Sequence, residues 1–138
     1  MPTARTATCT SPRSASTSHG PGLVASALFA ITVHGRLNRD LPETTWLGGL
    51  DDELIALAAA ELSSAGFKCA MDVTELSGKA PANICNASRS GRGLQLELPR
   101  DLRDALRDDG GQLQRFATAI RAAIRTKVEI SPGAADMR

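Results

Sequence analysis

A chain of 138 residues is long enough for one domain with a single modest core. Its formal net charge of +1 excludes the strong positive field on which non-specific nucleic-acid binding rests, so any basic patch must be local. No apolar run reaches the roughly 18 residues of a membrane span, so neither nucleic acid nor a membrane is an expected partner. The three cysteines form no disulfide framework and no CxxC pair, which favours reduced thiols in a cytoplasmic protein.

The predicted domain spans residues 23–130. Residues 1–22 before it are rich in Ser, Thr, Pro, Ala and Arg and lack acidic residues, so they cannot bury enough apolar surface to offset their ordering entropy. We therefore predict a disordered leader there and a frayed tail over 131–138. A signal-peptide core over 23–33 is the alternative for this region. Against it, His34-Gly35-Arg36 follows where a small-residue cleavage site would stand.

The first half of the domain is predicted to hold short strands and one helix with clear ends. The predicted elements are a short helix over 23–28, a buried strand over 29–33 ending at His34-Gly35, a loop over 36–45 and a brief strand at Trp46-Leu47. Asp51 or Asp52 then suits the N-cap of a helix. Gly66 suits the left-handed position that ends it. Four apolar residues recur between them at helical spacing: Leu54, Ile55, Ala58 and Leu62.

The second half continues the alternation of strands with helices, which is typical of the α/β class. The predicted elements are a strand over 67–71, a loop over 78–91, a strand over 94–98 closed by Pro99, a helix over 101–107 and a helix that reaches about residue 125. The last helix carries one apolar stripe, which we expect to cover the sheet: Leu113, Phe116, Ala117, Ile120 and Ile124.

The strand at 94–98 has a strictly alternating pattern. Three leucines fall on one face, and Gln95 and Glu97 fall on the other. Four cations flank the strand in sequence: Arg89, Arg92, Arg100 and Arg103. One interpretation is a site at which Glu97 acts on anionic substrates, and the other is an edge strand whose polar face is solvated.

Taken together, these segments resemble the phage-type poly-γ-glutamate hydrolase family, zinc-dependent amidases whose core is similar to the carboxypeptidase A fold. The resemblance implies a mixed sheet flanked by helices. It extends over about residues 24–127. The residues that carry it are Thr32-Val33-His34-Gly35, Trp46-Leu47-Gly48-Gly49-Leu50-Asp51, Ala65-Gly66-Phe67, Asn83-Ile84-Cys85-Asn86 and the run from Gly91 to Arg103.

The resemblance also implies roles for individual residues. His34 matches a zinc ligand, and Glu97 matches the carboxylate that activates a metal-bound water for attack on an amide. The expected partner is an acidic polymer or peptide, and release or secretion to reach it is the alternative to a cytoplasmic location. The carboxylates of such a polymer suit bidentate binding by Arg89, Arg92 and Arg100. Two loop residues, Asn83 and Asn86, either orient substrate carbonyls or serve turn formation.

The chain departs from the family pattern at its first metal motif, a His-Gly-Gly stretch followed by Glu. His19-Gly20 is the only partial match to that motif, and Val24 occupies the position at which the family has an acidic residue. A second departure is Ala87, where the family commonly has Arg. We therefore expect an N-terminally truncated copy of the domain. The competing interpretation is a catalytically inactive remnant, a metal-free scaffold that at most binds polyanions.

Overall fold

Four strands and four helices make up the part of the chain that the structure, a computed structural model, describes: residues 19–71, 73–74 and 76–131. In chain order they are α1 (His19–Ser26), β1 (Ile31–Arg36), β2 (Thr44–Gly49), α2 (Asp52–Ser64), β3 (Lys68–Ala70), β4 (Leu94–Pro99), α3 (Arg100–Asp108) and α4 (Gly110–Ile130), with a 3₁₀ turn at Ile84–Asn86. None of the helices in these ranges combines the length and apolar character needed to cross a bilayer.

The strands form one mixed sheet in the order β1-β4-β2-β3. β4 pairs with β1 in parallel and with β2 antiparallel, and β2 pairs with β3 in parallel. The predicted α/β class and mixed sheet are thus confirmed. The interpretation of β4 as an edge strand with a solvated face is wrong, because β4 has a neighbour on each side and all its residues are buried.

The apolar face of the sheet packs under helices. Leu94, Leu96 and Leu98 enter a core to which α2 contributes its buried stripe. α2 begins as predicted, since the Asp51 side chain accepts a hydrogen bond from Leu54 N at 3.0 Å. It ends as predicted as well, with Gly66 in the left-handed region at φ 90°.

α4 does not cover the sheet as its stripe predicted. It packs against α2 and α3, because those helices already occupy the apolar face of the strands. Its buried residues are Phe116, Ala119 and Ala123, whereas Leu113 is 48% exposed. The apolar stripe of α4 therefore packs against other helices, in a second layer, rather than against the strands.

Several boundaries differ from the prediction, among them those of α1 and β1. α1 begins at His19, inside the predicted leader, while residues 1–18 and most of the predicted tail, 132–138, lie outside the described residues. β1 continues through Arg36, which we had placed in a loop. Its pairing with β4 extends to Arg36 opposite Pro99, and this pairing holds His34, Gly35 and Arg36 in the strand.

Candidate functional site

The two residues expected to carry the chemistry lie next to each other in the sheet. His34 on β1 and Glu97 on β4 are register partners in a parallel pair, so their side chains leave the same face. We call this face, which carries His34, Arg36, Trp46, Gln95 and Glu97, the polar face. Glu97 is 5% exposed, whereas His34 is exposed to solvent. A buried carboxylate and an accessible imidazole therefore share one surface.

Gln95 holds the Glu97 carboxylate in position. Its amide nitrogen donates to Glu97 Oε1 and to Leu76 O, both at 2.9 Å. Its amide oxygen accepts from Asn83 Nδ2, also at 2.9 Å. Because Asn83 occupies the oxygen of Gln95, the nitrogen is left to face Glu97. Asn83 also caps the 3₁₀ turn, through a hydrogen bond from Cys85 N at 3.1 Å, so turn formation and a polar role coexist in one residue.

Arg36 is a site residue that sequence reasoning missed. It is 5% exposed, and its guanidinium lies 3.9 Å from the centroid of the Trp46 ring, the residue opposite Glu97 on β2. Its terminal nitrogens donate to the carbonyls of the chain that leads from β1 to β2: Leu37, Asp40, Leu41 and Thr44. Side chains alternate along a strand with a period of two, which places Arg36 on the same face as His34. A predicted strand that extended to residue 36 would have identified Arg36 by this alternation.

The charges on the polar face act on each other. Burial raises the pKa of the Glu97 carboxyl, and electrostatic interactions with His34 and Arg36 partly offset the rise. Burial also lowers the pKa of the Arg36 guanidinium, against the attraction of Glu97 and Asp40. A partly desolvated carboxylate with a raised pKa suits a general base that works near neutral pH.

Asn86 uses its hydrogen-bonding groups inside the protein. It is buried, its Oδ1 accepts from Leu50 N at 3.2 Å and Gly93 N at 3.1 Å, and its Nδ2 donates to the carbonyls of Gly78 and Ala80. A Cβ on Gly93 would overlap the Cys85 carbonyl, so the loop crosses β4 closely at this point. These contacts join the loop to the ends of β2 and β4 and leave no donor for a substrate.

The three arginines predicted to bind substrate do not come together. Arg89 and Arg92 are exposed and precede β4, and Arg89 N bonds to Ala27 O beside the start of β1. Leu94 and Glu97 are separated by about 10 Å of strand, so these arginines lie at the opposite end of β4 from the carboxylate. Arg100 begins α3, and its exposed side chain lies 3.8 Å from Asp104.

A zinc site needs about three protein ligands. Among residues 20–71, 73–74 and 76–131, no three His, Cys, Asp or Glu side chains form a group that could hold a metal. His34 and Glu97 alone therefore do not fit a zinc ion. Cys85 is fully buried beside the Gly78 carbonyl, and burial raises the pKa of its thiol, as in a structural cysteine.

A cleft of about 520 Å³ opens at the C-terminal end of β1. It is bordered by β1, the start of the β1–β2 loop, β2 and the loop before β4. We call it the Trp46 cleft, and its lining residues are Gly35, Arg36, Leu37, Arg39, Trp46 and Leu76. Because Trp46 is the register partner of Glu97 and Gly35 follows His34, the cleft adjoins the polar face.

Known proteins resemble the chain in sequence and in fold. Residues 15–126 match the family model described as poly-gamma-glutamate hydrolase. A solved bacteriophage poly-gamma-glutamate hydrolase is similar with a TM-score of 0.75 and 25% identity, over 83% of this chain and 60% of that one. YNDL in a zinc-free apo form is similar with a TM-score of 0.58 and 25% identity, over 64% of this chain and 44% of that one. The chain thus spans less than two thirds of the length of either structure, and no curated protein matches it.

Proposed function

The chain belongs to the poly-gamma-glutamate hydrolase family, and from this premise we propose that it hydrolyses γ-glutamyl amide bonds in poly-γ-glutamate or a related acidic polymer. The observation that carries the proposal is the placement of Glu97. Its carboxylate is buried on the polar face, next to His34, and is held by Gln95. A γ-glutamyl chain presents an amide and a carboxylate in every unit, which suits a site that combines a base with nearby cations.

In the proposed reaction Glu97 acts as the general base. It takes a proton from water as the water oxygen attacks the amide carbonyl carbon, and it returns that proton to the leaving nitrogen as the C–N bond breaks. Gln95 is a positioning residue, because its hydrogen bond to Oε1 orients the other carboxylate oxygen. Arg36 contributes a positive charge that favours the ionised form of Glu97.

Zinc dependence is part of the proposal, with His34 as one ligand. Support comes from the family and from the zinc-free description of YNDL. Since the described residues do not by themselves fit the ion, we assign no step of the reaction to it.

A second candidate function is metal-free binding of acidic polymers. The Trp46 cleft favours it, because the cleft combines arginines with apolar walls and needs no metal for its shape. The two candidates differ in zinc content and in hydrolysis.

The experiment measures zinc per chain after expression in zinc-supplemented medium, and then the release of amino groups from poly-γ-glutamate. Hydrolysis predicts activity in the wild type and a loss of about 10²-fold or more in Glu97→Gln, with the same zinc content in the two proteins. Zinc below about a tenth of an equivalent, together with no hydrolysis, favours the metal-free candidate. Full activity in Glu97→Gln removes Glu97 from the mechanism.

A further inference from the structure

We propose that the Trp46 cleft binds the glutamyl unit next to the cleaved bond, and that Arg39 is the specificity-determining residue that receives its carboxylate. The inference rests on the proposed function for the identity of the ligand. The position of the cleft and the choice of Arg39 come from the structure. Arg39 is not among the arginines that the sequence indicated.

The cleft is built to take a short aliphatic segment. Trp46 is one of its lining residues, and two others are leucines that remain exposed, Leu37 at 63% and Leu76 at 52%. Exposed leucines that line one cleft favour an apolar occupant. The side-chain methylenes of a glutamyl unit have this character, and its carboxylate requires a cation at one end.

Arg36 is not that cation. Its terminal nitrogens are directed to backbone carbonyls, two of them, Leu41 O and Thr44 O, at 2.7 Å. Its guanidinium also stacks on Trp46. Arg36 therefore stabilises the chain between β1 and β2 and leaves substrate binding to another side chain.

Arg39 is the cation that remains. It lines the cleft and is exposed, and within the described residues its guanidinium makes no ion pair or hydrogen bond. Its loop is anchored on both sides. Arg36 binds the carbonyls of residues 37, 40 and 41, while Asn38 exchanges two hydrogen bonds with Asp101, at 2.6 Å to its side chain and 2.9 Å from its backbone nitrogen. A free guanidinium on an anchored loop is pre-organised for a carboxylate.

The position of the cleft relates it to the chemistry. Trp46 lines the cleft and is the register partner of Glu97, so a unit bound in the cleft lies next to the strand that carries the carboxylate. Arg89 and Arg92 precede β4 and do not line the cleft. They are the natural controls for a purely electrostatic effect.

The test uses Trp46 as its own reporter. The chain has one Trp and no Tyr, so its tryptophan fluorescence and its indole N–H signal in NMR come from this cleft alone. A short γ-linked glutamyl oligomer is titrated into the Glu97→Gln variant, in which no turnover is expected, and into three double variants that add Arg39→Gln, Arg39→Lys or Arg92→Gln. An equal chain length of polyphosphate serves as the competing polyanion.

We expect the oligomer to shift the Trp46 signals, Arg39→Gln to weaken binding about tenfold or more, and Arg92→Gln to change it less than about twofold. Arg39→Lys should recover part of the loss. No shift of the Trp46 signals, equal losses in Arg39→Gln and Arg92→Gln, or equally tight binding of polyphosphate would each overturn the assignment.

The outcome is separable from that of the proposed function. Arg39-dependent binding by a chain that releases no amino groups would support the assignment of the cleft and contradict the proposed hydrolysis. Hydrolysis by the wild type, with KM unchanged in Arg39→Gln and no change in the Trp46 signals, would support the proposed reaction and contradict the assignment of the cleft.

Discussion

The two faces of β4 are equally buried and differ in what covers them. Leu94, Leu96 and Leu98 lie under helices and are specified by the volume they fill. Gln95 and Glu97 lie under loops and side chains from β1 and β2, and are specified by hydrogen bonds and charge. The difference teaches that the polar side chains of β4 are buried together with hydrogen-bond partners, so that face is the one that can carry chemistry.

The largest effect is expected on the apolar face. Leu96→Ala leaves a cavity at a side chain that is 1% exposed, and we expect the free energy of unfolding to fall by about 2–5 kcal/mol in urea denaturation. The matched control is Leu113→Ala on α4, at a side chain that is 48% exposed, with an expected cost below about 1 kcal/mol. Equal costs for the two variants would contradict the assignment of this face to the core.

On the polar face, Arg36→Met should lower the free energy of unfolding because hydrogen bonds are lost, rather than because a cavity forms. Four backbone carbonyls lose their donor, so we expect a cost of about 2 kcal/mol or more. Arg92→Met, at an exposed arginine, should change stability by less than about 0.5 kcal/mol. If Arg36→Met unfolds at the same urea concentration as the wild type, the polar contacts of Arg36 do not stabilise this face.

The smallest effect is a pH dependence at Glu97. Because burial raises the pKa of its carboxyl, the protonated form is favoured by folding. The stability this contributes is complete below the unfolded pKa of about 4.3 and is lost as the pH rises through the folded pKa. Glu97→Gln removes the titration, so its free energy of unfolding relative to the wild type should increase between pH 4 and pH 8. A difference that decreases over this range would show a lowered pKa instead.

Local signals predicted the elements whose ends depend on neighbours in sequence. Asp51 and Gly66 delimit α2 because a cap and a left-handed turn are short-range devices. The alternation at 94–98 likewise predicted a strand with Glu97 and Gln95 on one side. Its interior place in the sheet was not predictable, since β1 and β2 are distant in sequence and their pairing with β4 is a tertiary event.

The candidate site was predictable in part. The resemblance to a known family placed His34 and Glu97 on two strands, and the structure makes them register partners. Sequence proximity was a poor guide for the arginines, because a strand separates its own ends: Arg92 is five positions from Glu97 and lies beyond the far end of β4. Arg36 and Arg39 are distant from Glu97 in sequence, and the fold brings their segment to the polar face.

The most direct test of the central claim, that the polar face of β4 serves γ-glutamyl hydrolysis, compares two polymers of equal length. Purified chain with zinc supplied is incubated with γ-linked and with α-linked polyglutamate, and newly released amino groups are counted. The account predicts release from the γ-linked polymer, which Glu97→Gln abolishes, and little from the α-linked one. No release from the γ-linked polymer, or equal release by Glu97→Gln, would contradict it.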